Sequence, residues 1–260
     1  MVRNIMVRIG IIILVFIFSC ARPILEDQSS SIKIDNALKY IQDKKYSRAI
    51  EELEYILFTD PLSNYASDAQ YYLSESYYYL GNYQQAILEY EKYLSRRDLS
   101  YELVQKSQFM LCKCYYNISL EYNRDQSGTL IALEKLQYFI EKESMSEYID
   151  EIETMILHLR TKLAKKDFYT AKLYIRLEEL DAAVIYFNNI INDYYDTEFI
   201  NDALVNIALI YLMNDFKKSI LFLDNHKNSF ETEDDYNKAV LFINSIETNQ
   251  DNDFYISLLK

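Results

Sequence analysis

The chain has 260 residues, half of them hydrophobic and 26% charged, which is enough apolar matter for a core and excludes wholesale disorder. With only 3 Gly and 2 Pro it lacks the turn residues that a sheet protein uses to reverse its strands, which leaves long helices joined by short polar turns. Its 40 acidic against 27 basic residues give a net charge of −13, which repels nucleic acid and anionic lipid alike, so residence on a membrane requires a covalent anchor.

The first element supplies that anchor. Arg3 and Arg8 form a short basic region, and Ile9 to Phe18 is an uncharged apolar run. The run is far short of the ~20 apolar residues of a transmembrane helix, but it suits the core of a signal peptide. It ends Ile17-Phe18-Ser19-Cys20-Ala21, which resembles a bacterial lipobox, where the Cys after a small residue is lipidated and becomes the mature N-terminus. The expectation is a signal peptide over 1–19, a lipid on Cys20 and a polar, flexible tether over 20–32. An ordinary secretory signal with a chance Cys is the alternative. Removing a leader that carries Arg3 and Arg8 leaves a chain that is more acidic still.

Beyond the tether the chain repeats itself. In Ala69 to Leu94, Leu73 and Tyr77 are i, i+4 on one helix, and Ala86, Tyr90 and Leu94 are i, i+4, i+8 on the next. Ala86 is small where the two helices approach, and Gly81 lets the backbone turn between them. The same frame recurs upstream at Tyr40, Tyr46, Ala49, Leu53 and Leu57, with Pro61 closing the unit. It recurs downstream at Leu111, Tyr115, Ala132, Leu136 and Ile140, again at Tyr174, Leu180, Ala183, Phe187 and Ile191, and more weakly at Phe216, Ser219 and Leu223. This is the pattern of the tetratricopeptide repeat, whose ideal period is about 34 residues. Two intervals are close to it and two carry insertions, one a loop around Asn123 to Gly128, the other a long helix over Glu147 to Leu177 with a possible break near Asp167.

The expected fold is therefore all-α: a tetratricopeptide-repeat solenoid of about five helix pairs (33–61, 63–95, 101–142, 147–195, 198–228) within 33–228, followed by a C-terminal helical extension over 229–260.

Residues able to do chemistry do not converge. His158 and His226 have no metal-spaced partner, and the three glycines are too far apart for a phosphate loop. Cys112 and Cys114, two apart on a helix, point to nearly opposite sides and read as packing residues. The chain is therefore expected to be no enzyme, with no metal site and no cofactor beyond the lipid on Cys20. Most of the 26 tyrosines are packing residues in such repeats. Some should line the inner face of the solenoid: Asp68, Tyr71, Glu75, Tyr78 and Tyr79 in the second repeat, Phe109, Lys113 and Tyr116 in the third. A groove of aromatics with charged edges suits an extended peptide or a partner helix.

The chain resembles the BamD lipoproteins, the helical-repeat subunits of the outer-membrane β-barrel assembly machine, over roughly Ile34 to Met213. The resemblance rests on Cys20 followed by repeats, on repeat two, and on Asn123-Arg124-Asp125-Gln126 in the loop before the third repeat's second helix. It rests also on the long helix with Leu163-Ala164-Lys165-Lys166, followed by Ala182-Ala183 and the closing Tyr194-Tyr195-Asp196-Thr197. Departures are the missing prolines near Asp98, Ser144 and Tyr195, and Tyr186 where the family has Arg. The resemblance implies an outer-membrane, lipid-anchored scaffold facing the periplasm. It implies partners in the barrel-forming subunit, through that subunit's periplasmic repeat domains, and in unfolded outer-membrane proteins. Asn123, Arg124, Asp125 and Gln126 become a candidate partner loop. The competing reading is a periplasmic tetratricopeptide adaptor lipoprotein for cell-wall or division machinery.

Overall fold

The computed structural model describes residues 22–97, 99–246 and 252–259, with side chains for 29–97, 99–246 and 253–259. The expected signal peptide (1–19) and Cys20 lie outside the described residues. All regular structure among the described residues is helical: α1 (Arg22–Gln42), α2 (Tyr46–Thr59), α3 (Ala66–Tyr79), α4 (Tyr83–Leu94), α5 (Tyr101–Ile118), α6 (Ser127–Lys142), α7 (Ile149–Arg176), α8 (Leu180–Asp193), α9 (Ile200–Leu212), α10 (Phe216–Asn225), a 3-10 turn (Lys227–Ser229), α11 (Glu233–Ser245) and α12 (Asn252–Leu259).

The small residue of each repeat is where two helices meet. Ala49, Ala86, Ala132, Ala183 and Ser219 have no solvent exposure, and neither have the large residues four positions on, Leu53, Tyr90, Leu136, Phe187 and Leu223. A methyl or hydroxymethyl group lets the backbones approach, and the large side chain one turn later fills the space beside it. This is the tetratricopeptide arrangement.

Three of the turns inside the pairs share one geometry. Gly81 takes φ +82°, and its N–H donates to the Tyr78 carbonyl while that of Asn82 donates to Tyr77. Lys44 (φ +58°) and Glu178 (φ +61°) make the same two bonds, to Ile41 and Tyr40 and to Ile175 and Tyr174. These are Schellman turns, in which a left-handed residue satisfies the last carbonyls of the first helix. Turns between pairs also repeat. Ser63, Ser146 and Thr197 donate their N–H to the carbonyls of Asp60, Glu143 and Tyr194, then accept at their own carbonyl from Ala66, Ile149 and Ile200. Pro61, Ser144 and Tyr195 occupy the same place in this turn, so it forms without the family's proline.

The chain divides into two compact units between Ile118 and Ser119. In the first, α1 to α5 stack in sequence, with Ala37, Leu53, Ile56, Ala69 and Leu73 forming the core that α1, α2 and α3 share. In the second, α7 packs on α6 and α8, and α9 on α8, α10 and α11. The final helix α12 lies against α9 and α7, with Tyr255 and Leu259 in the core. There the Lys172 ammonium donates to the Leu259 carbonyl and, at 3.1 Å, to Asn206 Oδ1.

Two expectations change, and the possible break near Asp167 does not occur. The segment expected to be a flexible tether is helical from Arg22, because Pro23 sits in the first turn, where its missing N–H is not needed, and no Gly or Pro follows to stop the helix. The third repeat, expected as one pair over 101–142, is shared between the units: α5 packs on α4 and α6 on α7. The long helix α7 runs unbroken through Asp167, whose carboxylate accepts from Asn189 Nδ2 at 3.3 Å on α8.

Candidate functional site

The groove residues of the first unit lie on α3 and α5, the first helices of consecutive repeats. Tyr71, Glu75 and Phe109 are buried, so these three build the face rather than line it. The Tyr71 hydroxyl donates to Glu75 Oε1 at 2.6 Å, and the same oxygen pairs with the Lys106 ammonium at 3.1 Å. The Tyr71 ring packs edge-on against Tyr72 and against Tyr93 of α4, at 5.3 and 5.5 Å between centroids. Burial pushes the Tyr71 hydroxyl well above the ordinary phenol range, and the bond to Glu75 adds to the shift.

Asp68 is exposed at the N-terminal end of this face. Lys113 places its ammonium 5.2 Å from the Phe109 ring centroid, and Tyr116 is half-buried a turn further on. Tyr78 is half-buried, its hydroxyl raised by burial with Lys113 opposing. Tyr79 is 54% exposed but stacks on Tyr46 of α2 at 5.4 Å, which sets it apart from the Glu75–Lys106 cluster.

Two residues of this face escaped the sequence reading. Tyr72 is half-buried, its hydroxyl raised by burial, then by Asp68 and Glu75, with Lys106 pulling the other way. Lys106 supplies the cation. Carrying the α5 face one turn back from Phe109 would have found it. The face is thus a tyrosine surface with Asp68 and Glu75 set against Lys106 and Lys113.

In the second unit the loop Asn123 to Gln126 divides its labour. Asp125 caps α6: its Oδ1 accepts from the Ser127 N–H at 3.0 Å and its Oδ2 from the Ser127 hydroxyl at 3.3 Å. Those two bonds hold its carboxyl below the usual range. Gln126 is buried and works inward, with Nε2 donating to the Glu121 and Arg124 carbonyls and Oε1 accepting from the Thr129 hydroxyl at 2.8 Å. Asn123 and Arg124 are left exposed. They border a pocket of about 230 Å³ whose far wall is α7, through Lys166, Tyr169, Thr170 and Leu173. The Tyr122 and Tyr169 rings touch in its lining, 5.4 Å between centroids and tilted by 30°, and the Lys165 ammonium lies 4.8 Å over the Tyr122 ring. Lys162 anchors the start of the loop by donating to the Ser119 hydroxyl at 2.8 Å.

The closing Tyr194-Tyr195-Asp196-Thr197 is fixed to α7 by Arg160, another residue the sequence reading passed over. Its Nε and Nη2 donate to Asp196 at 2.6–3.0 Å, and Nη2 also donates to the Asp193 carbonyl at 2.7 Å. Tyr186, standing where an Arg was expected, stacks on Tyr174 at 5.4 Å.

Comparison with known proteins places these features in context. A family profile described as YfiO, outer membrane lipoprotein, matches residues 27–220, a span that includes both surfaces. An outer membrane protein assembly factor BamD from Rickettsia prowazekii is 21% identical over 173 residues, covering 66% of this chain and 68% of that protein. Another, from Caulobacter vibrioides, is 25% identical over 136 residues, covering 52% of this chain but only 44% of the relative. A solved tetratricopeptide repeat protein from Parabacteroides merdae, 13% identical, covers 89% of this chain and 98% of its own with a TM-score of 0.38, too slight a likeness to bear on function.

Proposed function

Because the chain belongs to the YfiO family of outer membrane lipoproteins, we propose that it is a scaffold for outer-membrane protein assembly that works by binding rather than by catalysis. The observation that carries this reading is the match over 27–220, together with two relatives that are each outer membrane protein assembly factors. In this reading the lipid on Cys20 holds the chain on the periplasmic side of the outer membrane. The face built by α3 and α5 receives segments of unfolded outer-membrane proteins, whose aromatic residues pack on tyrosine and whose backbone finds the polar tips of Asp68, Tyr72 and Lys113. The second unit serves the barrel-forming subunit through its periplasmic repeat domains.

The test is capture of the full chain, tagged through a flexible linker after Lys260, from native membranes in mild detergent. A β-barrel protein with repeated periplasmic domains should be recovered in near-equal amount. Recovery of peptidoglycan-associated proteins in its place would instead make the chain an adaptor for cell-wall or division machinery.

A further inference from the structure

The pocket between the Asn123–Gln126 loop and α7 has a chemistry of its own. In a chain of net charge −13, it gathers Arg124, Lys165 and Lys166 around two tyrosine rings. None of these three cations is ion-paired among the described residues. The nearest carboxylate in the loop, Asp125, is held by the Ser127 N–H and hydroxyl, and the Lys166 charge acts on it only from beyond ion-pair distance. Between the cations lies apolar wall: Tyr122, Tyr169 and Leu173, the last 46% exposed. At about 230 Å³ the pocket is smaller than the roughly 300–1,000 Å³ of small-molecule sites, so it has room for a side chain or two rather than a cofactor.

We propose that this pocket binds an acidic peptide segment of a partner protein, one that carries an aromatic or branched aliphatic residue beside its carboxylates. The guanidinium of Arg124 can take a carboxylate through two parallel N–H bonds, while Lys166 supplies a second point charge. The apolar neighbour inserts between Tyr169 and Leu173, where a ring stacks on tyrosine. Asp125 and Gln126 present Arg124 by fixing the loop around it. A membrane surface is the poorer occupant, because three cations cannot offset the repulsion between an anionic bilayer and the rest of this acidic chain. This ligand chemistry follows from the pocket alone, whichever envelope machine the chain serves.

The test uses the purified full chain and a random short-peptide display library. Selected peptides are then measured one at a time by fluorescence anisotropy. Wild type should select acidic sequences with an embedded aromatic or branched residue. Binding should fall at least about tenfold in Arg124→Glu, fall less in Arg124→Lys, which keeps charge but loses the fork, and weaken with salt. Lys238→Glu, which makes the same charge change on α11, should bind as wild type does, and circular dichroism should show all variants folded. Selection of basic or uncharged peptides would overturn the proposal. So would equal loss in Arg124→Glu and Lys238→Glu, which would reduce the effect to net charge. Anionic phosphatidylglycerol vesicles that displace the peptides and themselves require Arg124 would overturn it in favour of a lipid surface.

Discussion

Two buried tyrosines of the first unit show how little the residue type says without its partners. The Tyr71 hydroxyl has an acceptor in Glu75, which in turn holds Lys106, so a buried phenol, a buried carboxylate and a partly exposed ammonium satisfy one another. The Tyr90 hydroxyl, fully buried one helix away, has no hydrogen-bond partner among the described groups. Removing the two hydroxyls should therefore have opposite effects. Tyr71→Phe breaks a made bond and leaves Glu75 with only Lys106, so it should lose about 1 kcal/mol of stability. Tyr90→Phe removes a polar atom that the fold does not use, so it should be neutral or gain up to about 1 kcal/mol. Urea unfolding of both variants decides it. A loss of more than about 1 kcal/mol in Tyr90→Phe would mean that the hydroxyl is bonded after all. The sequence put Tyr90 at a packing position of the repeat and Tyr71 on the inner face, and could not show that both are buried or how their hydroxyls differ. Polar pairing across α3, α4 and α5 depends on rotations about helix axes that spacing alone does not set.

At the scale of the element, the three Schellman turns make one experiment. Gly81 was legible because glycine advertises a left-handed residue. Lys44 and Glu178 were not, because the same geometry is forced there on side chains that disfavour it, at roughly 1–2 kcal/mol each. A Cβ on Gly81 would meet nothing within 4 Å, so only its φ resists substitution. Gly81→Ala should thus lose about 1 kcal/mol, and Glu178→Gly should gain a few tenths to about 1 kcal/mol, since relief of strain exceeds the added entropy of the unfolded chain. Thermal unfolding reads both, and a destabilised Glu178→Gly would mean that its side chain is held by something worth more than the strain. The Arg160 fork on Asp196 ties α7 to the turn after α8 and adds a pH dependence. Burial pushes the Asp196 carboxyl up, but the Arg160 bonds outweigh it, and the net shift is downward from 3.8. A carboxylate lowered in this way contributes stability that is fully present above its unfolded value and is lost as pH falls through the folded one. Arg160→Ala should therefore cost up to about 1 kcal/mol at neutral pH, and the gap from wild type should narrow below about pH 4. A gap that stays constant down to pH 3 would assign the effect to the Asp193 carbonyl bond instead.

In each of the two units, the pattern of small and large residues marked the repeat helices, because packing at Ala49, Ala86, Ala132, Ala183 and Ser219 admits little variation. What it did not carry was the division at Ile118, where a lengthened connection assigns α5 and α6 to different neighbours. Nor did it carry α12, whose Tyr255 and Leu259 are too few to form a periodic signal yet complete a core. The candidate surfaces were legible in part, since periodicity marks a face but not which of its residues are covered. Charge and hydropathy remain the firmest guides at this scale, and they make a last prediction. No helix among the described residues is long and apolar enough to cross a membrane, and a net charge of −13 opposes adsorption to anionic lipid. Membrane residence should then rest on the lipid proposed for Cys20. In Cys20→Ala the chain should leave the membrane pellet for the soluble periplasmic fraction, while wild type stays in the pellet through a high-salt wash, since acyl chains are indifferent to screening. If Cys20→Ala still sediments but is released by salt, contacts with an anchored partner hold the chain. The surfaces on α3, α5 and α7 would then be the places to look for them.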